Sequence, residues 1–402
     1  MKQVIIMSVV AVAALNGASI DEAFKAGKIS GQLRAAYVNQ DNAVDTDTYT
    51  TSLGGIFKYE TGDWNGLKVG IGSYISQKIG FATGDGDNAN MDVLANNAKS
   101  YAYVGEAYID YSGNDFSLRV GRQLIDTPLA NTDDIRMHSN TYEAVMATYN
   151  GIDKTTLSGG YIKRWAGYDS GDDISEFKRL DGGNSHGSSL FGVTNESIEN
   201  LALQGWYHQI DNMTNVFYGD ATYSLAINEG MGVEFSGQYG RFNELYASNI
   251  DGNVYGTNVN LSIGMVTFGA AYNKATNDNG KAVSIGFGGG PYYTSMEEMT
   301  INGMEDARAY QLNASIDLAD AGIEGATLSV RYGNFKSAPM DIKVRETDLV
   351  AAYDINEALC AEVSYAMIDD NNKNIANTLP DGSGIAYDGG YDRFLVRLSY
   401  NF

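Results

Sequence analysis

Apolar and polar residues alternate through the last twelve positions of the chain. Phe394, Val396, Leu398, Tyr400 and Phe402 fall on one face of an extended strand, because successive side chains point to opposite faces. The other face carries Arg393, Arg397, Ser399 and Asn401, with Leu395 its lone apolar member. A strand of this kind separates an apolar phase from water. The pattern recurs upstream, where Leu67, Val69 and Ile71 oppose Lys68, Gly70 and Gly72. Phe116, Leu118 and Val120 likewise oppose Ser117 and Arg119, and Leu328, Val330 and Tyr332 oppose Thr327, Ser329 and Arg331.

This alternation predicts eighteen strands: 29–40, 50–60, 67–78, 100–111, 116–123, 140–149, 154–165, 187–195, 200–210, 214–226, 231–242, 253–263, 265–275, 307–318, 326–336, 345–355, 359–369 and 391–402. Their length suits strands tilted across a bilayer. Strand 187–195 rests only on Ser188, Leu190, Gly192 and Thr194 and on the rhythm of the links, and the pair within 253–275 is similarly faint. If the first strand runs outward, the inner links, such as 61–66, 112–115 and 150–153, are short. Most outer links, such as 79–99, 124–139, 166–186, 276–306 and 370–390, are long and rich in Gly, Asn and Asp. Short periplasmic turns opposite long external loops are the asymmetry of outer-membrane barrels. An even strand count also returns the C-terminus to the periplasm. The predicted fold class is all-β, a transmembrane antiparallel β-barrel of about 18 strands with one loop folded into its lumen.

Composition narrows this further. The 402 residues include 47 Gly and 28 Tyr but only 4 Pro. Pro128, Pro291, Pro339 and Pro380 all lie in polar stretches, as expected if the strands exclude a residue that cannot donate to the ladder. No apolar run reaches the about 20 residues of a membrane-spanning helix. The lone Cys360 excludes an intrachain disulfide and any Cys-based metal site, and His138, His186 and His208 are too scattered for a His-ligated metal. A net charge of −23 argues against nucleic acid. Between Thr83 and Asp92, the acids Asp85, Asp87 and Asp92 have the alternating spacing of a Ca2+ loop. The stretch lacks the glycine at position six and the glutamate at twelve of an EF-hand. Gly286–Pro291 is glycine-rich, but no Gly-Lys-Ser/Thr follows to make it a phosphate loop. No cofactor is predicted.

At the amino terminus, Lys2, an apolar stretch from Val4 to Leu15 and the small residues before Ser19 read as a secretory signal over 1–18, cleaved after Ala18. The mature chain, 19–402, is then a single barrel without a plug in the outer membrane. Ser19 and Glu22 have the spacing of a capping box, which predicts a short periplasmic helix within 19–28 stopped by Gly27. Tyr37, Tyr59, Tyr101, Tyr111, Trp165, Tyr353, Tyr365 and Tyr400 have outward parity near strand ends, as interfacial girdles require.

Loop 124–139 mixes Leu124, Ile125, Leu129, Ile135 and Met137 with charged groups, and a loop that merely faces water needs no such anchors. It is the loop expected to fold inward. Here the chain resembles a known family. Gly121-Arg-Gln-Leu-Ile-Asp-Thr-Pro-Leu129, Thr132-Asp-Asp-Ile-Arg136 and Thr141-Tyr-Glu143 look like the central signature of the OprD-type outer-membrane porins, closest to versions from epsilon-class bacteria. Glu22-Ala-Phe-Lys-Ala-Gly-Lys-Ile-Ser-Gly-Gln-Leu-Arg34 is similar to the start of the mature proteins of that family. The resemblance implies a porin with a narrow waist, a ladder of basic residues on one wall and carboxylates on the constriction loop. Carried onto this chain, the constriction is Asp126, Thr127, Pro128, Asp133, Asp134 and Arg136. The ladder is Arg34, Arg119, Arg164, Arg331, Arg393 and Arg397, with Lys58 and Lys68 on the same parity.

Inward parity also holds Glu60, Glu106, Asp110, Glu143, Asp220, Glu234, Asp317, Asp348 and Glu362. These acids slightly outnumber the bases, which predicts a mild cation preference. The function expected is passive diffusion of small hydrophilic solutes or ions, including carboxylate- or amino-acid-like ones. The partners are outer-membrane lipid and these solutes, and the usual assembly of large porins is a homotrimer. An adhesin or structural surface protein acting through the long loops is the alternative. An enzyme is not expected, since inward His208 shares its face with Gln204 and Trp206 and has no serine partner.

Overall fold

A sheet of long strands with one oily face has two exposed edges, and closing it on itself removes both. In the computed structural model the wall strands do this. It describes residues 19–371 except 172 and 184, the backbone of 377–378 and 384–385, and residues 390–402. The wall begins with β1 (Lys28–Asn42), β2 (Thr48–Glu60), β3 (Leu67–Lys78), β4 (Tyr101–Gly113), β5 (Phe116–Gln123) and β6 (Thr141–Ile152). It continues with β7 (Thr155–Ala166), β8 (Ser188–Ile198), β9 (Leu201–Ile210), β10 (Thr214–Asn228), β11 (Met231–Glu244) and β12 (Gly252–Ile263). It ends with β13 (Val266–Thr276), β14 (Arg308–Asp317), β15 (Ala326–Ser337), β16 (Ile342–Asp354), β17 (Leu359–Asp370) and β18 (Tyr391–Asn401). Each pairs antiparallel with its neighbours, and β18 pairs with β1 from Gln32 opposite Asn401 to Asn42 opposite Tyr391, which closes the barrel. The predicted signal segment, 1–18, and Pro380 lie outside the described residues.

Ahead of β1, the helix Ile20–Lys25 carries both capping-box bonds: the Glu22 amide donates to Ser19 Oγ at 3.2 Å, and the Ser19 amide donates to Glu22 Oε2 at 2.8 Å. The faint strands are present as β8, β12 and β13.

Two bulges change the parity read from the sequence. Between β3 and β4, Gly72 faces Glu106 but Ser73 faces Val104, so Gly105 is skipped. Tyr101 thereby turns inward, where it is buried, and belongs to no girdle. Between β6 and β7, Glu143 faces Arg164 but Ala144 faces Ile162, so Lys163 is skipped. Trp165 turns inward and stacks on Tyr142, while Arg164 turns outward and lies 3.6 Å from Glu143, which shares the outward parity of Val145 on β6 and so is not a lumen acid. Arg164 is therefore no rung of a pore ladder. An extra residue in one strand flips every side chain beyond it, and alternation alone does not reveal where the extra residue falls.

Candidate functional site

The loop rooted on β5 and β6, residues 124–140, crosses the lumen. Ile125, Leu129 and Ala130 are buried with Tyr142, Trp165 and Phe287. Its far end packs Met137 against Val93 and Leu94 of the β3–β4 loop and against Ala36, Val38 and Leu395 of β1 and β18. Leu395, the apolar exception on the wet face of β18, is thus an anchor for inward-folded loops. His138 sits among Tyr74, Tyr101 and Tyr103, with Tyr101 Oη 2.7 Å from Nε2, and burial pulls its imidazole down to about 4.

Charge then clamps the loop to the wall four and five strands from its root. Arg34 grips Asp134 with both terminal nitrogens, Nη1 at 2.6 Å and Nη2 at 2.8 Å, and donates through Nε to Ser399. Arg397 donates to the Asp134 carbonyl at 2.5 Å and to Glu362 Oε1 at 2.5 Å. Burial raises the Asp134 carboxyl, but the Arg34 guanidinium overrides it and holds the group below its ordinary range. Asp126 and Thr127 shape the loop itself. Asp126 Oδ1 accepts from the Thr132 amide and hydroxyl. Thr127 and Ala130 exchange backbone bonds across a turn that places Pro128 in its middle.

A second loop, 277–307 between β13 and β14, also folds inward and had no signal in the sequence beyond its glycines. Phe287 donates to the Leu129 carbonyl, and Asn131 donates back to the Phe287 carbonyl. A Cβ at Gly286 would stand 2.3 Å from Leu129 O, and at Gly288 2.4 Å from Asn131 Oδ1; both have positive φ. Gly286–Pro291 is therefore a seat for the first loop, whose close approach at positions 286 and 288 only residues without a side chain allow. Glu346 on β16 accepts the amides of Glu298 and Met299 at 2.9 and 2.8 Å, fixing the loop to the wall.

The two loops are locked by a buried charge cluster. Arg136 meets Asp92 at 3.3 Å and Glu298 at 3.2 Å, with its guanidinium 4.2 Å from the Tyr168 ring centroid. Arg393 meets the same two acids at 3.2 and 2.6 Å, and Tyr391 donates to Glu298 at 2.8 Å. Four loops and β18 converge here. Arg393, 1% exposed, is consequently a brace within the cluster and no open rung. Asp92 is committed to two arginines, which removes it from the Ca2+ set suggested with Asp85 and Asp87. Among the described residues no group of three or more His, Cys, Asp or Glu could hold a metal.

The other ladder arginines are paired but less enclosed. Arg119 meets Asp110 at 2.9 Å with 33% of its side chain exposed, and Arg331 meets Glu297 at 3.6 Å with 38% exposed. Lys58 and Lys68 pair with Glu106 and Glu60.

Asp133, close to Gly289, shares its environment with Asp169, and neither is ion-paired among the described residues. Burial, and then the Asp169 carboxylate, push Asp133 up to about 7. A raised carboxyl is protonated below this value, and the packing stability it gives is lost as pH rises through it. Loop 124–140 therefore gains negative charge as pH rises through neutrality. Reversal potentials in a salt gradient are expected to move toward cations as pH rises from mildly acid to mildly alkaline, and Asp133→Asn to flatten the shift. A pH-independent wild-type potential would contradict this.

A closed eighteen-strand barrel whose lumen is narrowed by folded-in loops defines an outer-membrane porin. The chain belongs to the outer membrane porin, OprD family, whose model matches residues 22–381. No curated protein matches it. Among solved structures, OccAB2 of Acinetobacter baumannii superposes with TM-score 0.79 at 16% identity, covering 95% of this chain and 99% of that one. Pseudomonas aeruginosa OccK9 (OpdG) gives 0.76 at 18%, covering 94% and 99%. Pseudomonas aeruginosa OpdK with vanillate gives 0.75 at 17%, with the same coverage. The protein is an outer-membrane channel for diffusion of small solutes, and its family and structural neighbours are porins, which are not enzymes.

Proposed function

We propose that the channel conducts small hydrophilic solutes of amino-acid type, bearing both a carboxylate and an ammonium group, and prefers cations among simple ions. The observation that carries this is the division of the wall. On β5 and β15, Arg119 and Arg331 keep a water-facing side able to meet a carboxylate. On β10 and β11, Asp220 is held by the neutral groups Gln204 and Tyr218, and Glu234 by Asn260 and Ser224, so neither is ion-paired among the described residues. Opposed charges across a narrow water-filled space produce a transverse field that orients dipolar solutes. The vanillate in the OpdK structure, itself a carboxylate, is compatible with an arginine-lined path.

Liposome swelling across amino acids, carboxylates and sugars tests the reading. Arg119→Ala is expected to slow carboxylate and amino-acid entry several-fold while leaving sugars unchanged. Equal slowing of all three would mean that Arg119 supports the wall without selecting solutes. We further propose a homotrimer, tested by sedimentation in detergent, and cleavage before Ser19, tested by N-terminal sequencing.

A further inference from the structure

The helix Ile20–Lys25 is docked at the periplasmic rim by its backbone. The Tyr59 hydroxyl donates to the Phe24 carbonyl at 2.5 Å, and the Gly62 amide donates to the Ala23 carbonyl at 2.8 Å. The fit is close, since a Cβ on Gly27 would stand 2.3 Å from Tyr59 Oη and one on Gly62 2.9 Å from the Ala26 Cβ. Tyr59 lies on the lipid-facing side of β2, opposite Ile29 of β1. The helix is thus moored to the outside of the wall's lower edge.

Its two faces differ. Ile20 and Phe24, one turn apart and therefore on one side, remain 56% and 50% exposed. Asp21 and Lys25, the next pair around the axis, form an ion pair of 2.6 Å, and Ala23 is buried against the rim. The lipid-facing side of the nearby seam where β18, β1 and β2 meet exposes Ile29, Phe57 and Phe402, with the Phe57 and Phe402 rings 5.8 Å apart.

We propose that this capped helix is an interfacial anchor whose Ile20–Phe24 face enters the periplasmic leaflet of the outer membrane at the closure seam. Lipid is the occupant on two grounds. The helix hangs from Tyr59, on the lipid-facing side of β2. Two side chains also fall far short of the about 800 Å² per partner of a standard protein interface, whereas a short amphipathic helix needs only shallow insertion to bind a bilayer. The inference is independent of which solutes the channel conducts.

Spin labels report the environment directly. In a Cys360→Ser background, Phe24→Cys and Lys25→Cys would be labelled in the mature protein, reconstituted into phosphatidylethanolamine–phosphatidylglycerol vesicles. Heat-modifiable gel mobility would confirm that both variants are folded. At position 24, collisions with oxygen are expected to exceed those with a water-soluble nickel chelate several-fold, and at position 25 the order is expected to reverse. Nickel access at 24 equal to that at 25 would place the face in water and overturn the proposal. Low access to both reagents at 24 would show a protein or second copy covering it, which also overturns it.

Discussion

Replacing Glu298 with alanine is expected to widen the channel and destabilise it together. Glu298 and Asp92 are the two carboxylates that neutralise Arg136 and Arg393 in a pocket where both guanidinium groups are almost fully buried. Removing one acid leaves two cations sharing a single partner, and breaking a buried ion pair from one side costs about 3–5 kcal/mol. The loop 277–307 also loses its bond to Tyr391 and its hold on loop 124–140 through Arg136. The expected readings are a larger single-channel current and a lower temperature for the heat-modifiable mobility shift. An unaltered current at a lowered melting temperature would show that the cluster stabilises the barrel without setting its bore.

Asp134→Ala acts at the other end of the same loop and should be read by sign. Asp134 occupies both terminal nitrogens of Arg34, and its carbonyl takes a bond from Arg397. Each charge-assisted bond lost from the side chain is worth about 1.5–3 kcal/mol. The loop tip loosens, one lumen acid disappears and Arg34 is freed. Current is expected to rise and the reversal potential to move toward anions. Arg34→Met loosens the same contact but leaves the acid, so its potential is expected to move toward cations. Shifts of the same sign in both variants would mean that these groups do not set the local field.

How much of this was legible in the sequence depends on the scale of the signal. The strands and their closure follow from period-two alternation, which Arg393–Phe402 shows with Leu395 as its exception. The inward path of loop 124–140 could be read from its apolar anchors. Loop 277–307 could not, because what seats it is the absence of side chains at Gly286 and Gly288, and glycine in a loop has many other uses. Strict alternation puts Arg164 and Tyr101 on the wrong face because bulges at Lys163 and Gly105 leave no trace in composition. Asp92 suggested a metal loop by spacing, whereas its partners Arg136 and Arg393 lie 44 and 301 residues away and only the closed barrel brings them together. Parity identified charges that point inward. It could not tell those that face water, such as Arg119, from those sealed beneath loops, such as Arg393.

The protein is a water-filled channel, and its bore is expected to be set where the two inward loops are clamped together. Single-channel recording in planar bilayers tests it most directly, with the wild type and Glu298→Ala measured under the same salt. Discrete steps in the wild type and larger steps in the variant are the predicted result. A correctly folded wild type that carries no current, or steps of one size in both proteins, would contradict it.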